Sequence, residues 1–259
     1  MTNALVNAAS GLYKQQRRMD TIANNIANSN TVGFKSSRVD FQTSLYRAGI
    51  VPGPPRTATE VGGNQQRGHG VRVAAIARDF NQGASISTGR PLDMAIMGEG
   101  FFSVESPAGA TLYTRNGNFY LDNERFLVTG SGYFVLNDAG ARIQLPLGVT
   151  SERIGVDANG VINIDMDGTV SRFPLGIFTF RNIAGLEAVG GSLYAETVAS
   201  GDRLPAESAH VQQSVLESSN VNLAVEMTRL IRTQRAFQLA SRAVSVADDM
   251  EGIANNIRR

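Results

Sequence analysis

The chain has 259 residues, with 24 lysines and arginines, 23 aspartates and glutamates, and no cysteine. Because the charges nearly balance, no global field attracts polyanions, which argues against nucleic-acid and anionic-membrane binding. The absence of cysteine excludes disulfides, thiolate catalysis and cysteine metal sites.

The first segment carries an apolar stripe at helical spacing, which predicts an amphipathic helix with one apolar face. The stripe consists of Leu5, Leu12, Met19 and Ile26, with Ile22 beside them. We expect this helix to end at residues 28–30, where turn-forming residues precede Gly33. Polar and basic residues at 14–18 interrupt the stripe, so no apolar run reaches the length of a cleaved signal peptide. We therefore expect any export to use a route without a cleaved signal.

Residues 48–70 are rich in glycine and proline, which predicts an extended and irregular connector. Two interpretations remain open for this connector. It is either a disordered linker in the free monomer or an arm that becomes ordered against neighbouring subunits.

Residues 71 to about 203 contain short apolar runs separated by turn signals, which predicts antiparallel β structure. The runs lie at 71–76, 94–97, 101–104, 126–128, 133–136 and 176–180. The turn signals, at which glycine permits the positive φ of tight hairpins, are Asn116-Gly117, Asp138-Ala139-Gly140, Asn159-Gly160 and Asp167-Gly168. This spacing favours a sandwich or a partly open barrel over a βαβ sheet.

The last segment carries a wider apolar stripe, which predicts a helix from Leu223 to Ile257. The stripe includes Leu223, Leu230, Phe237, Val244, Met250 and Ile257. Both terminal segments contain the pentapeptide IANNI, at residues 22–26 and 253–257. Such sustained spacing favours long helices that bind partner helices, and an ordinary core helix pair is the alternative.

These elements predict an α+β fold class, in which long terminal helices pair as a coiled-coil-like inner domain and the middle is mainly antiparallel β. We expect four segments. They are the N-terminal helix at 1–34, the connector at 35–70, the β-rich outer domain at 71–204 and the C-terminal helix at 205–259.

No constellation of residues predicts catalysis. The two histidines, His69 and His210, belong to no recognisable base, nucleophile or metal set. The acidic turns near Asp157 and Asp165 lack the glutamate that closes a calcium loop. We therefore predict no enzymatic activity, no catalytic, cofactor or metal site, and no nucleic-acid or small-molecule partner. A carbohydrate-cleaving enzyme and a non-enzymatic extracellular binding module stay open as alternatives.

Four arginines of the last segment are spaced along one predicted helix, at Arg229, Arg232, Arg235 and Arg242. We interpret them as a solvated face, because the overall charge is near neutral. In a tube of helices the same face would line a channel.

Six blocks of the sequence, in order along the chain, resemble the bacterial flagellar rod and hook subunits. The first block, ANSNTVGFK, occupies residues 27–35. The others lie at 91–96, 98–102, 113–119, 219–223 and 234–237. The motif residues that we single out are Asn28, Asn30, Thr31, Gly33, Phe34, Lys35, Ser219, Asn220 and Asn222.

Within this family the length and layout are most similar to the distal rod subunits, and residues 45–67 fall where those subunits carry an extra stretch thought to stiffen the tube. The resemblance implies a structural subunit of the flagellar basal body, exported without a cleaved signal into the periplasm and cell envelope. It implies a hollow helical homopolymer that transmits motor torque and provides an export channel. The implied partners are proximal rod and hook subunits, the surrounding rings and the flagellar export apparatus. A hook or proximal rod subunit is the nearest alternative.

The resemblance and the stripes together predict a subunit interface on the terminal helices. Its residues are Leu5, Leu12, Met19, Ile22, Ile26, Leu223, Leu230, Phe237, Val244, Met250 and Ile257.

Overall fold

The computed structural model describes residues 2–43, 47–49, 65–67, 71–146, 148–149, 153–166, 169–206 and 208–257. The chain forms two compact units. The first contains Met1–Ile26, Ser37–Ala77 and Leu223–Arg259, and the second contains Ala27–Ser36 and Arg78–Asn222. Each unit therefore draws on segments that are distant in the sequence.

Two long helices belong mainly to the first unit: α1 at Thr2–Ala27 and α2 at Leu223–Ile257. Both predicted helices are confirmed, and α1 ends at the predicted turn. Glu226 lies in the first turn of α2, where the partial positive charge of a helix N-terminus favours a carboxylate. Among the described residues, no helix is both long and apolar enough to cross a membrane.

Twenty short strands lie in the described chain between the helices. They are β1 Ser37–Thr43, β2 Arg47–Gly49, β3 Gln65–Arg67, β4 Val71–Arg78, β5 Ser85–Ser87, β6 Met94–Met97, β7 Phe101–Glu105, β8 Thr111–Thr114, β9 Phe119–Leu121, β10 Leu127–Thr129, β11 Phe134–Val135, β12 Ile154–Val156, β13 Val161–Met166, β14 Thr169–Pro174, β15 Ile177–Phe180, β16 Glu187–Gly190, β17 Leu193–Ala195, β18 Arg203–Pro205, β19 His210–Gln213 and β20 Val215–Glu217. The six predicted strand positions are confirmed.

The largest sheet of the second unit has nine strands in the order β16-β17-β8-β7-β11-β10-β9, with β15 paired to β7 and β18 paired to β15. Its pairings are antiparallel, as predicted. Strands β12, β13 and β14 form a separate antiparallel sheet. Two further two-stranded sheets, β19-β6 and β20-β5, also belong to the second unit. The two-stranded sheets β1-β4 and β2-β3 belong mainly to the first unit.

Two apolar clusters form the core of the second unit. The larger cluster joins β6 to β12 and β13 through side chains such as Met94, Ile96 and Ile162. The smaller cluster is mostly aromatic, with the Tyr113 and Phe180 ring centroids 4.8 Å apart in an edge-to-face arrangement. Such edge-to-face pairs add to the stabilisation that burial alone provides.

The predicted hairpin glycines have different roles. Gly140 and Gly160 adopt φ of +84° and +76°, which L side chains disfavour. The prediction of a positive φ at Gly117 is wrong. A Cβ at Gly117 would lie 1.7 Å from the Met94 carbonyl oxygen, so glycine is required there for close backbone approach. The Asp167-Gly168 turn lies outside the described residues.

The prediction that the terminal helices pair as a coiled-coil-like inner domain is wrong. Strand β1 packs along α1 instead: the Asn25 side chain donates to the Ser37 carbonyl at 2.8 Å, and the Lys14 ammonium lies 4.7 Å from the Phe41 ring centroid. Helix α2 leaves much of its apolar surface exposed. Strand β1 therefore gives α1 a partner within the same unit that the sequence did not indicate.

Most of the predicted connector, including His69, lies outside the described residues. Within it, β2 and β3 pair in an antiparallel register that places Arg47 opposite Arg67. Residues 33–46 had no clear pattern in the sequence, and the structure forms β1 there.

Candidate functional site

The most concentrated group of polar side chains in the second unit is a buried cluster that joins three of the sequence motifs. We call it the junction cluster, and it consists of Gly33, Lys35, Arg115, Glu217 and Asn220. Lys35 follows α1, Arg115 follows β8, and Glu217 ends β20. The cluster therefore connects segments that are remote in the sequence, up to 182 residues apart for Lys35 and Glu217.

Lys35 and Glu217 form the central ion pair. The Lys35 Nζ lies 2.6 Å from Glu217 Oε1, with side chains 1% and 0% exposed. The ammonium also donates to the Asn81 carbonyl at 2.8 Å. The backbone N–H of Gly83 donates to the same Oε1 at 2.8 Å, so this carboxylate oxygen is fully engaged.

Arg115 supplies a second cation to the same carboxylate. Its Nη1 lies 3.3 Å from Glu217 Oε2 and also donates to the Ile96 carbonyl at 3.3 Å. Its Nη2 donates to the Gly98 carbonyl at 2.7 Å. The guanidinium carbon lies 5.3 Å from the Phe101 ring centroid, within cation–π range.

The cluster buries two cations and one anion, so backbone carbonyls must stabilise the excess positive charge. Burial lowers the pKa of Lys35 from its usual range, and attraction to Glu217 opposes this shift. Burial likewise lowers the pKa of Arg115, again against the attraction of Glu217. In both cases desolvation is the larger effect, which is the usual balance for buried ion pairs.

Gly33 allows the backbone to enter this cluster. Its N–H donates to the Glu217 carbonyl at 2.8 Å, and its φ is +67°. A Cβ at this position would lie 2.7 Å from the Asn116 backbone nitrogen. Glycine is therefore required both by its φ and by the close approach of the RNG motif at 115–117.

Asn220 ties two further segments to the cluster through its side-chain amide. Its Oδ1 accepts from the Ser36 N–H at 2.8 Å. Its Nδ2 donates to the carbonyls of Asp79 and Asn81, at 2.7 and 3.0 Å. Both Nδ2 hydrogens and the Oδ1 oxygen are therefore engaged, which fixes the segment before α2 beside the segment after α1.

Replacing Asn220 by aspartate should destabilise the second unit by about 1–3 kcal/mol, because the Asp79 and Asn81 carbonyls each lose the amide donor and face a carboxylate. The Asn81 carbonyl keeps its bond from Lys35. The Ser36 N–H would still donate to an oxygen of the new side chain. The loss of stability would therefore report only the two hydrogen bonds that the Asn220 Nδ2 donates. Urea unfolding of Asn220→Asp against wild type measures the effect. Asn159→Asp, in an exposed turn, is the control and should change stability little. Equal effects of the two substitutions would contradict this role for Asn220.

The geometry of the junction cluster is structural. Its charged side chains are almost completely buried, so they offer no face to a substrate. Among the described residues, no group of three or more histidine, aspartate or glutamate side chains is placed to hold a metal ion. The arrangement locks together the chain entering and leaving the β-rich unit.

The structure places the predicted motif residues in different environments. Gly33, Phe34, Lys35 and Ser219 are buried, Asn28 and Asn220 are half-buried, and Asn30, Thr31 and Asn222 are exposed. The interface predictions are also divided. Ile22 is buried, Leu12, Met19, Ile26, Leu230, Phe237 and Val244 are half-buried, and Leu223 and Met250 are exposed. The side chains of Leu5 and Ile257 lie outside the described residues.

Sequence reasoning did not assign a role to Arg115 or Glu217. Arg115 lies within the motif at residues 113–119, but nothing near it in the sequence indicates its partner. Glu217 follows two apolar residues in a strand whose three positions are all buried. A buried carboxylate is strongly unfavourable unless a cation pairs with it. The position of Glu217 beside two apolar residues is thus the one sequence feature that could have indicated a buried ion pair.

The exposed surface of α2 carries a row of apolar residues in the first unit. We call this row the outer stripe, and it consists of Leu239, Val246, Met250 and Ile253. These side chains are 57% to 66% exposed. At 100° per residue they fall within about 60° of each other, so they share one face. A continuous exposed apolar face marks a site of protein association.

Three family models match the chain. Residues 5–35 match "Flagella basal body rod protein", residues 95–171 match "Flagellar hook protein FlgE/F/G D1 domain", and residues 212–257 match "Flagellar basal body rod FlgEFG protein C-terminal". The class that these matches define is the hook and rod proteins of the bacterial flagellum.

Relatives of known identity match the chain over its whole length. It is 40% identical to the flagellar basal-body rod protein FlgG of Borreliella burgdorferi and 40% identical to FlgG of Bacillus subtilis, covering 100% of both chains in each case. It is 30% identical to the flagellar hook-basal body complex protein FlhP of Bacillus subtilis, again over 100% of both chains. The chain therefore belongs to the FlgG family of flagellar basal-body rod proteins, which confirms the resemblance.

Proposed function

We propose that the chain is a structural subunit that assembles with copies of itself into the hollow, helical distal rod of the flagellar basal body. The rod would transmit motor torque to the hook and leave a channel for exported subunits. Its full-length similarity to rod proteins named FlgG supports this assignment. The protein would reach the periplasm and cell envelope through the flagellar export apparatus, without a cleaved signal.

The observation that carries the assembly proposal is the outer stripe. An apolar row on a helix of 35 residues is unfavourable in a monomer, because water contacts it along much of its length. Burial against other copies removes that area from water. Contacts that repeat from copy to copy without closing on themselves build a helical filament.

The proposal gives each segment of the chain a different role in the polymer. Residues 1–34 and 205–259 would supply contacts to other copies, and the β-rich segment at 71–204 would form the outer layer. The interface residues named from the sequence, from Leu5 to Ile257, belong to the first group. Proximal rod and hook subunits would bind at the two ends of the polymer, and the basal-body rings would surround it.

Replacing Val246 or Ile253 by aspartate should prevent assembly while leaving the fold intact, because both side chains are exposed in the monomer. A carboxylate buried in an apolar contact is strongly unfavourable. Sedimentation and electron microscopy of the purified chain measure assembly, and circular dichroism measures folding.

Ser245→Asp is the matched control, since this neighbouring residue is exposed on α2 but lies off the outer stripe. It should assemble as wild type does. Filaments of normal length from Val246→Asp and Ile253→Asp would show that the outer stripe is not a contact. A wild-type chain that stays monomeric at every concentration would contradict the proposed function itself.

A further inference from the structure

A small basic pocket in the first unit has no role in the interactions described above. It has a volume of about 220 Å³ and is lined by α1, β1 and α2. Three of its lining residues are arginines, Arg18, Arg38 and Arg229. We call it the arginine pocket. Thr21 and Ser37 add hydroxyl groups to its wall.

Most of the positive charge around the arginine pocket is available to a ligand. Arg229 is paired with Glu226 at 2.5 Å, so its charge is largely compensated. Arg38 lies 3.3 Å from Asp40, but both side chains are exposed, at 73% and 47%, and solvent screens such pairs strongly. Arg18 is exposed and has no ion-pair partner among the described residues. The pocket therefore favours an anionic group.

The size of the arginine pocket selects the kind of anion. Pockets that bind cofactors and drug-sized molecules usually have volumes of about 300–1,000 Å³. A smaller basic pocket open to solvent suits one or two carboxylate side chains, which arginine binds through paired hydrogen bonds. The expected ligand is thus an acidic segment of a protein.

The chain itself carries a suitable acidic segment. The arginines of α2 all precede residue 243, at Arg229, Arg232, Arg235 and Arg242, whereas residues 243–257 contain acidic residues and no lysine or arginine. Asp248 and Asp249 are both exposed in this last part of α2. Arg258 and Arg259 follow beyond the described residues. The charge of α2 is therefore segregated along its length.

We propose that the arginine pocket of one copy binds the carboxylates of Asp248 and Asp249 from a second copy. This inference rests on the proposed function, since it requires self-assembly. The contact is heterologous, because a pocket on one copy meets a different surface of the next. It would set the register between copies, while the outer stripe supplies most of the buried apolar area. Charge complementarity of this kind contributes chiefly to specificity and to the rate of association.

The test is a charge exchange in the full-length chain. The pocket variant is R18E/R38E and the segment variant is D248R/D249R. These side chains are exposed, so circular dichroism should report folded protein for both. Each variant should raise the protein concentration needed for assembly by about tenfold, because like charges then face each other. The variant with all four changes should return to within about threefold of wild type, because the contact is restored with reversed sign.

The controls separate this contact from general charge effects. R232E/R235E changes two exposed arginines of α2 that do not line the pocket, and R232E/R235E/D248R/D249R should show no rescue. Wild-type assembly should also weaken in about 0.5 M NaCl, since exposed charges are screened.

The outcomes distinguish the two levels of the proposal. Normal assembly of both double variants would overturn the pocket contact and leave the rod assignment standing. The same conclusion would follow if the assembly defect of the variant with all four changes equalled the two separate defects added together. A defect confined to R18E/R38E would mean that the pocket binds a different acidic group, which also overturns the proposal. A wild-type chain that never assembles would remove the shared basis of both.

Discussion

Replacing Gly117 by alanine should destabilise the β-rich unit by about 3 kcal/mol or more, at the upper end of overpacking effects. The added Cβ would lie 1.7 Å from the Met94 carbonyl oxygen and 2.7 Å from its carbonyl carbon. Met94 cannot retreat, because its side chain is completely buried on β6. Its N–H also donates to the Gly117 carbonyl at 3.0 Å, so the two backbones must stay in contact.

Urea unfolding followed by near-ultraviolet circular dichroism measures this effect, because the buried Tyr113 and Tyr194 rings contribute to the signal. Gly155→Ala is the matched control. Its nearest neighbour to an added Cβ is the Asn163 carbonyl oxygen at 3.9 Å, and its φ is not positive. The control should change stability little. A Gly117→Ala protein as stable as Gly155→Ala would show that β6 and the 115–117 turn are not in close contact.

Replacing Glu217 by glutamine should cost the β-rich unit about 3–5 kcal/mol, because two buried cations then lose the carboxylate with which both are paired. The substitution preserves the size of the side chain, so packing is unchanged. Lys35→Met is the informative comparison. It leaves the Arg115–Glu217 pair with balanced charge, and Gly83 still donates to Glu217 Oε1. Its expected cost is about 1–2 kcal/mol, for the lost hydrogen bonds.

The order of these two effects tests the charge argument. If the junction cluster stabilised the fold through hydrogen bonds alone, Lys35→Met and Glu217→Gln would have similar costs. The double variant provides a further check, since residues in one network are not additive. Removing Lys35 in the Glu217→Gln background leaves one buried cation in place of two, so it should recover part of the lost stability. No recovery in the double variant would contradict the charge-balance explanation.

The terminal helices and many strands were predictable because their signals are local. Seven-residue apolar spacing and turn residues located α1 and α2, and short apolar runs located β6 and β7. Strand β1 was not predictable, since its mixed polar sequence gains its structure from α1 and β4. The intrinsic strand propensity of a segment determines its secondary structure only where tertiary contacts do not override it.

The candidate site was predictable in part. The motif at 27–35 drew attention to Gly33 and Lys35, and the motif at 219–223 drew attention to Asn220. Neither motif indicated that Glu217 receives Lys35 and Arg115 together, because ion pairing across more than a hundred residues leaves no periodic signal. The pairing of α1 with α2 was wrong for a related reason. An apolar stripe shows that a helix needs a partner, but not which element supplies it.

The sequence by itself determined the two helices, six of the strand positions and the family. Each of these depends on residue type and spacing within a short window. Only the tertiary structure decided the partner of α1, the need for glycine at 117, the junction cluster and the arginine pocket. These features depend on distances between segments that are remote in the chain, and burial, close packing and ion pairing act only once folding has brought such segments together.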